Sequence, residues 1–114
     1  MLAKIRFPAM TNRETWLERV EIRDEQGRPF DLSQADIRLE VRSQPGNRGP
    51  VLSAQTGDGQ ITGTTDGLIE WEFSESSMRN LSAGLYTIGL VYTLNNRTTQ
   101  VILGDIQIDD GAVS

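Results

Sequence analysis

The sequence predicts an all-β fold: an immunoglobulin-like antiparallel β-sandwich of about seven strands with one short helical turn near residues 75–81. Three observations carry this. Apolar residues recur at period two almost throughout, which places alternate side chains on a buried and a solvated face. Turn signals return at intervals of about 8–12 residues. Leu81-Ser82-Ala83-Gly84-Leu85-Tyr86 sets a tyrosine just after a glycine turn at the start of a long apolar run, the arrangement of a tyrosine corner.

The elements follow in order. Residues 1–14 read as an N-terminal arm, 15–110 as the sandwich domain and 111–114 as a C-terminal tail. The first strand is Trp16-Leu17-Glu18-Arg19-Val20-Glu21-Ile22, with Trp16, Val20 and Ile22 of one parity; it ends at Gly27, which supplies positive φ, and Pro29. Ile37, Leu39 and Val41 face the core of the second strand, and Arg38, Glu40 and Arg42 face water. The run from Gln44 to Pro50 is a breaker cluster and reads as an exposed loop. Val51–Ala54 and Gln60–Thr62 are short strands separated by the tight turn Gly57-Asp58-Gly59. After Asp66-Gly67, the next strand points Ile69, Trp71 and Phe73 inward. Ser74 is placed to cap the helical turn through the Ser77 or Met78 amide, and Met78 and Leu81 give that turn an apolar side.

The last third is a hairpin turning at Asn95-Asn96, since asparagine tolerates the positive φ of a two-residue turn. Pairing Leu94 with Arg97 sets Tyr92, Leu90 and Ile88 opposite Thr99, Val101 and Leu103 as a core face. Leu103 is then out of phase with Ile106 and Ile108, so a β-bulge is expected at Gly104. Trp16, Trp71, Tyr86 and Gly104 are the expected structural residues.

Composition narrows the function. The 114 residues leave room for one domain. There is no cysteine and no histidine, which removes disulfides, thiolate metal sites and every mechanism that needs an imidazole base. A net charge of -5 has the wrong sign for tracking phosphates, so no nucleic-acid partner is expected. Residues 1–50 balance at +1 and residues 51–114 at -6, an asymmetry that either steers a basic partner or reflects solvated strand faces. No secretory signal or membrane-spanning run is legible, so no membrane partner is expected.

The carboxylates do not assemble a catalytic pattern. Glu70 and Glu72 flank Trp71, but an amphipathic strand spaces them this way automatically, about 6.6 Å apart along one face. Asp58, Asp66, Asp105, Asp109 and Asp110 lack the spacing of a calcium loop, and Gly57, Gly59 and Gly63 precede no helix that would cradle a phosphate. No catalytic residue, cofactor or metal ligand is therefore expected. The less routine feature is the second face of the hairpin, where Leu85, Thr87, Gly89 and Val91, with Ile102 beside them, expose apolar surface. Either the arm covers it with Ile5, Phe7 and Met10, or another chain does.

With these residues placed, the sequence resembles small immunoglobulin-like proteins and domains of tailed-bacteriophage and prophage structural clusters, including the N-terminal domain of siphophage upper baseplate proteins. The resemblance rests on the order of four pieces spanning most of residues 15–109: the turn Gly27-Arg28-Pro29-Phe30-Asp31-Leu32-Ser33-Gln34-Ala35, then Gly67-Leu68-Ile69, then Gly84-Leu85-Tyr86, then Gly104-Asp105-Ile106-Gln107-Ile108. It implies a virion component (tail, baseplate, fibre or head decoration) that works by binding other virion protein chains, and it implies no catalytic residues; the missing signal peptide adds synthesis in the bacterial cytoplasm, and the two-faced apolar hairpin adds self-association or docking through residues 85–102. A carbohydrate-binding module is the alternative and requires Trp16 or Trp71 to be exposed. A small enzyme working with carboxylates alone is the third reading.

Overall fold

The computed structural model describes residues 3–44 and 49–111. Nine strands are present among them: β1 (Ala3–Arg6), β2 (Met10–Thr11), β3 (Trp16–Glu21), β4 (Asp36–Ser43), β5 (Leu52–Gln55), β6 (Ile61–Gly63), β7 (Leu68–Phe73), β8 (Gly84–Leu94) and β9 (Arg97–Asp109). They form two sheets. The larger runs β1-β9-β8-β4-β5, with β2 also on β9, and the smaller runs β3-β7-β6. This is the strand order of an immunoglobulin-type sandwich, β9-β8-β4-β5 standing as G-F-C-C′ and β3-β7-β6 as B-E-D. A 3-10 turn at Thr56–Asp58 and one helical turn, α1 (Glu75–Met78), complete the chain. Ser74 caps α1, its hydroxyl accepting from the Ser77 amide at 3.2 Å.

The core fills from alternating positions. On β4 Ile37, Leu39 and Val41 are buried while Asp36, Arg38 and Glu40 are exposed, and on β7 Ile69, Trp71 and Phe73 are buried in the same rhythm. At the centre Trp16 and Trp71 meet edge to face at 5.9 Å, and Phe7 stands edge-on to both at 6.3 and 6.1 Å. Such pairs contribute about 0.5–1.5 kcal/mol each beyond the area they bury. Phe7 belongs to the segment read as an arm. That segment does not lie across the hairpin; β1 and β2 pair parallel with β9 along its free edge, and Phe7 turns inward between the tryptophans. Pro8 has no N–H to add to a ladder, and the pairing breaks between β1 and β2 around it.

The hairpin register departs from expectation at one place. Leu94 pairs with Arg97 and Tyr92 with Thr99, and Asn95 and Asn96 take φ of 53° and 63°. The shift then falls between Leu90 and Val91, where Leu90 faces Ile102 and Val91 faces Gln100, so Val101 is the extra residue. The bulge is thus at Val101, three residues before Gly104. Val101 and Ile102 are both buried, which is what a bulge permits and a regular strand forbids. Ile102, not Leu103, is the core residue, and Leu103 turns out to solvent. Gly104 serves a different need: a Cβ there would stand 2.3 Å from the Ile5 carbonyl oxygen, so glycine lets β1 close onto β9.

Two polar side chains hold the crossings. The Tyr86 hydroxyl donates to the Ser82 carbonyl at 2.6 Å, forming the tyrosine corner at the crossover from α1 into β8. Burial raises its pKa above the ordinary 10.0. Tyr86→Phe keeps the ring and loses the bond, so we expect a loss of about 1 kcal/mol in urea unfolding. The second is Asn12, whose side chain is buried. Its amide donates to the Leu81 carbonyl at 2.8 Å and its oxygen accepts from the Gly111 amide at 3.0 Å, tying the arm to the crossover and to the chain's end. Asn12→Ala leaves a carbonyl and an amide without these partners; the expected cost is about 2 kcal/mol, measured the same way.

Residues 45–48 of the breaker cluster and 112–114 of the expected tail lie outside the described residues.

Candidate functional site

The outer face of the larger sheet presents the candidate surface. On β8 the residues that alternate with the core set are Leu85, Thr87, Gly89 and Val91; across the ladders Glu40 of β4 and Leu103 of β9 lie level with Gly89, and Arg38 and Gln100 lie level with Val91. Thr87, Gly89 and Val91 of β8, with Arg38, Glu40 and Arg42 of β4 and Gln100 and Leu103 of β9, line a shallow groove of about 330 Å³, and Leu85 is outside its lining. Gly89 makes its floor. Among the described residues a Cβ on Gly89 would meet only the Gln100 amide nitrogen, at 3.5 Å, an ordinary contact. Glycine is therefore not required there by the backbone, and its effect is to leave the centre of the face open. Leu85 and Leu103 are 39% and 38% exposed, two of the four large apolar side chains most open to water among the described residues.

The structure brings together Leu85, Thr87, Gly89 and Val91 as expected but removes Ile102, which is 1% exposed and faces the core because the bulge at Val101 reverses its parity. Leu103 takes its place. The described residues of the arm do not line the groove: Phe7 is in the core, Ile5 and Met10 pack partly against it, and β1 stands at the sheet's edge beside Leu103. Alternation along β4 puts Arg38, Glu40 and Arg42 on the solvent face, and the central pairing of β4 with β8, which their own spacing does not report, sets them beside Thr87, Gly89 and Val91.

The electrostatics of the face are mixed in sign. Arg42 donates to Glu40 at 2.9 Å along β4, and Arg6 holds Asp105 at 3.1 Å on the far flank. Exposed pairs such as these contribute roughly 0–1 kcal/mol each and act more on the choice of partner than on stability. The smaller sheet carries Glu70, whose carboxylate accepts from Arg19 at 2.7 and 3.0 Å across the β3–β7 ladder, while Glu72 stays in water. The two do not converge on a common point, because both lie on the outer side of one strand.

No His, Cys, Asp or Glu cluster among the described residues is arranged to hold a metal ion, and no described helix is long and apolar enough to cross a membrane. Trp16 and Trp71 are 3% and 1% exposed, so neither offers a ring to a sugar. Phe30 and Tyr92 are the most open aromatics, half-buried against each other with centroids 5.5 Å apart.

The chain matches no protein-family model and no curated protein.

Proposed function

We propose that this chain is a non-catalytic assembly module, a structural component of a tailed phage or prophage particle, which joins other protein chains and copies of itself through the outer face of β4, β8 and β9. The observation that carries the proposal is the open groove over Gly89, flanked by exposed Leu85 and Leu103 and by charges of both signs. An apolar patch rimmed by polar side chains on a flat sheet suits docking against another surface. The three strands at about 4.8 Å spacing, over about seven residues at about 3.3 Å, give roughly 330 Å² of flat area, so an interface of the ~800 Å² per partner usual for a stable complex spreads from this groove over the neighbouring strands of the sheet. The particle assignment rests on the resemblance of the turn and strand motifs, in their order, to phage structural domains.

Light scattering together with chemical cross-linking tests the reading. A mass that rises with concentration, with cross-links mapping to β8 and β9, is the expected outcome. A monomer at every concentration that also fails to associate with particles from the producing cell contradicts it.

A further inference from the structure

The smaller sheet has an unoccupied edge. In the order β3-β7-β6, β3 pairs on one side only among the described residues, since the arm that precedes it has gone to β9. The direction of its free groups follows from the register. The Ile22 amide donates to the Gly67 carbonyl at 2.7 Å, and β3 runs antiparallel to β7 from Trp16↔Phe73 to Glu21↔Leu68. Residues at even spacing from Ile22, namely Val20, Glu18 and Trp16, therefore exchange bonds with β7, while Leu17, Arg19 and Glu21 direct their N–H and C=O groups away from the sheet. Three donors and three acceptors stand in a row, unpaired among the described residues.

Two further features lie along this row. Leu17 is 58% exposed, the most open large apolar side chain among the described residues. Beside it a cleft of about 250 Å³ separates β3 from the Phe7–Met10 segment, walled by Phe7, Trp16, Leu17 and Ile106, with Glu14 and Glu18 on its rim and no basic residue in its lining. Glu14 is engaged, accepting from the Thr11 amide and hydroxyl. Glu18 is not. It shares the inward parity of Trp16 and Val20, is half-buried, and has no hydrogen bond or ion pair among the described residues.

We propose that the β3 edge is a strand-addition site for an extended segment of a partner chain, one that carries a lysine or arginine on the side facing Glu18 and apolar residues beside it. Backbone pairing to Leu17, Arg19 and Glu21 supplies affinity, and the cleft with Glu18 supplies selectivity. A second copy of β3 fits this edge poorly, because it brings another Glu18 to the inner side while its own cation, Arg19, lies on the opposite face and is held by Glu70. An unpaired inward carboxylate also discourages indiscriminate edge pairing until a cation meets it. The site is on the opposite sheet from the groove over Gly89 and stands or falls independently of it.

The test is amide hydrogen exchange on the whole chain, with a short peptide alternating valine and threonine around a central lysine as the probe, compared with the same peptide carrying glutamate in place of the lysine. The lysine peptide is expected to slow exchange at Leu17, Arg19 and Glu21 about tenfold or more at saturation. It should bind about fivefold more tightly than the glutamate peptide, and Glu18→Lys should reverse that preference. Both variant and wild type remain folded by circular dichroism, since Glu18 makes no hydrogen bond or ion pair among the described residues. Absence of protection, protection at β5 or β6 instead, or a preference that Glu18→Lys leaves unchanged overturns the proposal.

Discussion

Trp71→Ala is expected to lower the unfolding free energy by about 3–5 kcal/mol, against a total of about 5–15 kcal/mol for a domain of this kind. Trp71 is 1% exposed and stands edge-on to Phe7 and Trp16, one ring from the arm and one from the smaller sheet. Removing it opens a cavity where the two sheets and the arm meet, so the loss includes the packing of Phe7 and with it part of the hold on β1. Trp71→Phe is the informative partner. Among the described residues the buried indole Nε1–H has no hydrogen-bond partner, so phenylalanine gives up volume but no bond, and it should recover most of the loss. Urea unfolding followed by far-ultraviolet circular dichroism measures both. Equal losses for alanine and phenylalanine would show that packing volume is not what Trp71 contributes.

Gly67→Ala is expected to cost about 3–4 kcal/mol, whereas Gly27→Ala costs about 1–2 kcal/mol. The two glycines share a φ of 79°, so each replacement carries the same strain of a left-handed backbone. They differ in surroundings. A Cβ on Gly27 meets nothing within 4 Å among the described residues, while one on Gly67 would stand 2.4 Å from the Ile22 carbonyl oxygen and 2.9 Å from the Phe30 amide nitrogen. Backbone atoms cannot rotate aside. Gly67 also accepts from the Ile22 amide, and Phe30 donates to the Ile22 carbonyl at 3.3 Å, so the clash disturbs the start of β7 and the end of β3 together. Comparing unfolding midpoints for the pair isolates the close approach from the backbone strain, and equal losses at the two positions would contradict this geometry.

These residues also show which parts of the fold the sequence makes legible. β3, β4 and β7 lie between one apolar layer and water, so the period-two rhythm of Trp16, Ile37, Leu39, Val41, Ile69, Trp71 and Phe73 states their orientation directly. The Asn95-Asn96 turn, the Ser74 cap and the Tyr86 corner are local chemistry and are legible for that reason. The arm is different. Ala3–Arg6 and Met10–Thr11 are short and pair parallel with residues about a hundred positions away, and nothing in their own spacing reports that.

The bulge was legible as a necessity but not in position. Val101-Ile102-Leu103 offers three apolar residues in a row, and the phase required by Ile106 and Ile108 can be restored at any of them. The choice falls at Val101, which leaves Gly104 directly beneath the Ile5 carbonyl. Asn12 was invisible because its partners, Leu81 and Gly111, are 69 and 99 residues away and both are backbone. At the groove, the β8 face was legible from alternation, while its β4 and β9 walls required the order of strands across the sheet.

The central claim is that the open face over Gly89 is an assembly surface, and Gly89→Lys tests it most directly. The position is an outward site on a strand with no positive φ and no close backbone neighbour, so a side chain is tolerated there and β8 is if anything strengthened. The lysine fills the groove floor beside Glu40. Sedimentation equilibrium of wild type and variant over the same concentration range is the measurement. The account predicts a wild-type chain whose mass rises above the monomer and a Gly89→Lys chain that remains monomeric with an unfolding midpoint no lower than wild type. Identical association of the two proteins, or a wild type that stays monomeric throughout, would contradict it.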